Sequence, residues 1–157
     1  MKAIEIKLSV DAIAPVLDLM REVSGELKTE TSLSSEIVHN SSKGLCDFWR
    51  NELLAAQTDD CRKFLSLFGG DFFADGRVRI TPKESDSILR ACSAMRLRLR
   101  ATRLEKMTED ELQNRARENP LDVELPHGRP VIAYTLLAEI QTIILRHLNP
   151  FDDNPGN

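Results

Sequence analysis

Asp75-Gly76-Arg77-Val78-Arg79-Ile80-Thr81-Pro82-Lys83-Glu84-Ser85-Asp86-Ser87-Ile88 is the stretch whose reading decides the fold. Asp75-Gly76 is a turn signal. Arg77 to Ile80 alternate polar and apolar side chains, the period of a strand with one face buried. Thr81 followed by Glu84 spells a capping box, and Pro82 falls at the first helical position, where a backbone N–H would have no partner in any case. The spacing therefore predicts a short strand running directly into a helix. Ile88, Cys92, Met95 and Leu99 then recur every three or four residues and predict one apolar stripe on a helix reaching about Lys106.

A lone strand needs a partner, and Ile4, Ile6 and Leu8 alternating with Glu5 and Lys7 supply it. The expected β element pairs residues 2–8 with 77–80. Everything else reads as helix. Ser9 or Asp11 caps a first helix carrying Ile13, Val16, Leu17, Met20 and Val23, with Pro15 taken into its first turn and Gly25 at its end. From about Ser42, Leu45, Phe48, Trp49 and Leu53 form one apolar face, with Lys43, Asp47 and Arg50 left to water. Thr58 is expected to cap the next helix, which places Asp59 and Asp60 in its first turn and ends at Gly69-Gly70.

Thr108-Glu109-Asp110-Glu111 repeats the capping-box pattern, and Asn119-Pro120 should stop the helix it starts. Pro130 opens the last helix, whose Val131, Ile132, Leu136, Leu137, Ile140, Ile143, Ile144 and Leu148 are apolar around much of the circumference. Such a helix belongs at a centre. The fold class is mainly α: a single helical domain, residues 1–150, of about six helices with a minor two-stranded β element, followed by a flexible acidic tail, residues 151–157.

Composition agrees. The chain has 157 residues, enough for its own core, with 41% hydrophobic and 29% charged residues, which argues against disorder. Aromatics make up only 5%, so the core is aliphatic, as helices favour. A net charge of −4 gives no global attraction to nucleic acid or to an anionic membrane. Cys46, Cys61 and Cys92 are odd in number and form no metal-type pair, so reduced thiols in a bacterial cytoplasm are expected. The first residues lack the apolar core of a secretory signal. Glu139, Gln141 and Arg146 interrupt the last apolar stretch, so no membrane span is expected.

Residues that carry chemistry are few. Glu36-Ile37-Val38-His39 has the Glu-x-x-His spacing of di-iron bundles, but it occurs once, and Glu52 and Glu139 are the only further ligands to suggest. Neither a metal nor a cofactor is expected. His127 lies in a Pro- and Gly-containing loop, and His147 lies in the final turn of a helix, where positive charge suits the dipole. No nucleophile elbow or phosphate-binding loop is present in the sequence. The expectation is a non-enzymatic interaction or regulatory protein; the alternative is a metal- or thiol-dependent enzyme built on Glu36 and His39 or on Cys61.

The strongest charge feature is Arg90, Arg96, Arg98, Arg100, Arg103 and Lys106 on the long helix. Steps of four and then three put Arg96, Arg100 and Arg103 on one stripe. That stripe would bind an acidic protein partner, or else form ion pairs with Glu105, Glu109 and neighbouring helices. Nucleic acid is the weakest of these readings, because no aromatic residues interleave with the arginines. Self-association is left open.

The order of elements, with Phe48-Trp49-Arg50, Thr81-Pro82-Lys83-Glu84, Arg96-Leu97-Arg98-Leu99-Arg100-Ala101-Thr102-Arg103-Leu104, Thr108-Glu109-Asp110-Glu111 and Tyr134-Thr135-Leu136-Leu137-Ala138-Glu139-Ile140-Gln141, resembles an all-helical bacterial family known as domain of unknown function twenty-seventeen. Members are often encoded beside the adaptor that delivers substrates to the Clp protease. The resemblance covers most of the chain and implies a helical fold, no catalytic residues to carry over, and a partner linked to proteolysis.

Overall fold

The computed structural model describes residues 2–28, 43–118 and 121–148, with side chains from Asp47 onward in the second stretch. Glu36, His39 and the 151–157 tail lie outside the described residues.

Strand β1 (Ile4–Lys7) pairs antiparallel with β2 (Arg77–Ile80), Ile4 opposite Ile80 and Lys7 opposite Arg77. Ile4, Ile6, Val78 and Ile80 point into the core, while the alternating polar residues stay outside, as a period of two requires. Gly76 holds the corner before β2 with φ +78°, donating its N–H to the Phe72 carbonyl at 2.7 Å and accepting from the Leu8 N–H at 2.8 Å.

Helix α1 (Val10–Leu27) is capped by Ser9, whose hydroxyl accepts from the Ala12 N–H at 3.3 Å; Asp11 lies inside the first turn. Pro15 sits sixth in the helix, just past the first turn, and the helix runs two residues beyond Gly25. Helix α2 (Lys43–Ser66) is one 24-residue helix where the spacing predicts two. Thr58 caps nothing, because Leu53-Leu54-Ala55-Ala56-Gln57 are good helix formers that carry the ladder through it. Asp59 and Asp60 therefore lie mid-helix. Gly69-Gly70 does not stop α2, which already closes at Ser66 through the Leu67 and Phe68 N–H groups on the Phe64 and Leu65 carbonyls; Gly69 is instead the N-cap of a short helix α3 (Gly70–Asp75), which the sequence reading missed.

Helix α4 (Ser85–Thr102) begins later and ends earlier than its stripe suggests. The capping box at Thr81 does not form. The Glu84 N–H bonds the Thr81 backbone carbonyl at 3.1 Å, so Pro82 to Glu84 make a separate turn, and the Ser85 hydroxyl donates to the Pro82 carbonyl at 2.9 Å. At the other end the Arg103 and Leu104 N–H groups both reach the Leu99 carbonyl, at 3.0 and 2.9 Å, which closes the helix and turns Leu104 into the core. Helix α5 (Glu109–Glu118) does have its capping box. The Glu111 N–H donates to Thr108 Oγ1 at 3.1 Å and the Thr108 N–H to Glu111 Oε2 at 3.3 Å, an arrangement worth about 1 kcal/mol.

Helix α6 (Gly128–Leu148) starts two residues before Pro130, which still falls in the first turn, where its missing N–H is harmless. By length and composition alone it is long and apolar enough to cross a membrane. In this fold Val131, Ile132, Leu136, Leu137, Ile140 and Ile144 are buried against α1, α4 and α5. The expected central place is shared: α4 is packed on α1, α2 and α6 and is at least as enclosed. The chain is mainly helical, with six helical segments and one two-stranded sheet among the described residues.

Candidate interaction surface

The fold turns the members of the arginine stripe toward three different neighbours. Arg96 reaches α6, donating through Nη1 to Gln141 Oε1 at 2.7 Å and through Nη2 to the Tyr134 hydroxyl at 3.1 Å, with its guanidinium 4.7 Å from the Tyr134 ring centre. Gln141 in turn donates to the Leu89 carbonyl at 3.2 Å and to Ser93 Oγ at 2.7 Å, so rising numbers on α6 meet falling numbers on α4 and the two helices run antiparallel.

Arg100 folds over the end of its own helix. It donates to the carbonyls of Leu104 and of Met107, the latter at 2.7 Å, and to Glu109 Oε1 at 2.9 Å. Both carbonyls belong to the turn that follows α4, where the Leu104 carbonyl also accepts from the Met107 N–H at 3.1 Å, and a cation is well placed near a helix C-terminus. The predicted pairing with Glu109 is present.

Arg103 crosses to α1, where it meets Glu26 at 2.7 Å and Glu22 at 2.9 Å, while Arg98 donates to the same Glu26 at 2.8 Å. The Arg98, Arg100 and Arg103 side chains are mostly covered, 20–26% exposed. The Arg96/Arg100/Arg103 stripe thus joins α4 to α6, α5 and α1 and does not form one free cationic face.

The hydrogen bond from Arg103 holds the Glu26 carboxyl at about 2, below its ordinary 4.5; burial opposes this and Arg98 reinforces it. A carboxylate depressed on folding contributes stability that is present above its unfolded value and lost as pH falls through the folded one. The window here is about pH 4.5 down to about 2. Urea midpoints of the native chain are expected to fall through that window, and Glu26→Gln should flatten this part of the profile. An unchanged slope in the variant would assign it to other carboxylates.

One ion pair was missed by the sequence reading. Asp60 is 6% exposed and accepts two hydrogen bonds from Arg90, at 2.9 and 3.0 Å. The signal was available: Asp60 precedes Phe64 and Phe68 by steps of four, so it stands on the buried stripe of α2, and a buried carboxylate needs a partner.

Among the described residues no group of three or more His, Cys, Asp or Glu could hold a metal ion. Cys61 and Cys92 are buried free thiols; burial raises both, Cys92 to about 12. They are protonated at neutral pH and are not poised as nucleophiles. His127 is exposed on its loop at φ 63°, and His147 Nδ1 lies 2.9 Å from the Ile143 carbonyl in the last turn of α6.

The remaining feature is apolar. Phe48, Trp49 and Leu53, predicted as the buried face of a helix, are 59%, 50% and 37% exposed. Fusing the two predicted helices explains this. The C-terminal half of α2 packs Cys61 and Phe64 into the core, and Phe68 follows them from the turn after it, whereas residues 47–53 are exposed throughout. Steps of four and three from Phe64 through Asp60 and Gln57 lead to Leu53 and Trp49, so the buried stripe simply continues onto the uncovered half of the helix.

No family model, no curated protein and no solved structure matches this chain, so its function must be read from its own geometry.

Proposed function

We propose that the protein is a non-enzymatic interaction module that binds another protein through the N-terminal half of α2. The observation that carries this reading is that Trp49 and Leu53, one turn apart, and the adjacent Phe48 are large apolar side chains exposed on one helix. Clustered exposed apolar residues of this kind mark contact surfaces, and aromatic anchors such as Trp49 dominate binding energy at them. Their helical spacing suits an amphipathic helix or a shallow apolar groove on the partner. The resemblance noted in the sequence makes components of a proteolytic delivery system the first partners to present.

The arginines enter this reading as braces of the scaffold. The test is affinity capture from the native cell lysate with wild type, with Trp49→Ala/Leu53→Ala and with Arg96→Glu/Arg100→Glu/Arg103→Glu. The expected result is a specific partner lost with the α2 variant, while the arginine variant shows a lowered urea midpoint. Trp49 is the only tryptophan, so a blue shift of its emission on adding the purified partner reports burial directly. A partner retained by the α2 variant and lost by a folded arginine variant would move the site to α4.

A further inference from the structure

We draw no further inference here: the strongest candidate, the apolar face of Phe48, Trp49 and Leu53 on the N-terminal half of α2, belongs to the surface already proposed, and nothing in the structure shows what covers it.

Discussion

Phe64→Ala is expected to lower the free energy of unfolding by about 3–5 kcal/mol, the largest loss from any single truncation in α2. Phe64 is fully buried and begins an aromatic chain, with ring centres 5.4 Å from Phe64 to Phe68 and 5.2 Å from Phe68 to Phe72, each pair edge to face. Truncation removes the transfer energy of a whole ring and one aromatic pair and leaves a cavity that α1 and α4 cannot collapse into, being held by other contacts. Phe48→Ala, in the same helix, should change stability by no more than about 0.5 kcal/mol at a protein concentration where the chain is monomeric. Urea unfolding of the two variants side by side is the measurement. Comparable losses would mean that the N-terminal half of α2 is covered after all, and the proposed surface would fail with it.

The second large effect is expected from Gly76→Ala. At φ +78° an L-residue pays roughly 1–2 kcal/mol in backbone strain. A Cβ there would stand 2.1 Å from the Leu8 carbonyl oxygen, so the strand end must move and the Leu8-to-Gly76 hydrogen bond weakens. Together these should cost on the order of 3 kcal/mol. Gly25→Ala is the matched control: nothing lies within 4 Å of the added carbon and the backbone is helical, so stability should rise by up to about 1 kcal/mol. Equal effects of the two substitutions in chemical denaturation would contradict the geometry at Gly76.

The two variants also mark what local pattern does and does not reveal. Period-two alternation at residues 4–7 and 77–80 specified both strands, because a sheet with one wet face leaves no other arrangement of those side chains. The box at Thr108 formed because nothing competes for its groups, whereas Pro82 at the Thr81 box let a backbone turn take the Glu84 N–H instead. The continuity of α2 was not legible, since Thr58 carries a capping signal whether or not tertiary packing uses it. Periodicity gave the apolar face of Phe48, Trp49 and Leu53 but could not say whether anything lies against it. The arginine stripe shows the converse limit: spacing put Arg96, Arg100 and Arg103 on one side of a helix, yet long side chains reach Tyr134, Met107 and Glu26 in three directions.

The strand pair has a further consequence for how the chain folds. All of α1, α2 and α3 lies between β1 and β2, so their ladder closes a very long loop, while the helices on either side need only local contacts to begin. Loop-closure entropy makes such a pairing slow to nucleate and favourable only once the intervening helices have already folded back. The sheet is accordingly expected to close late, so Gly76→Ala should speed unfolding more than it slows folding in stopped-flow measurements, and a mainly slowed folding arm would contradict this order.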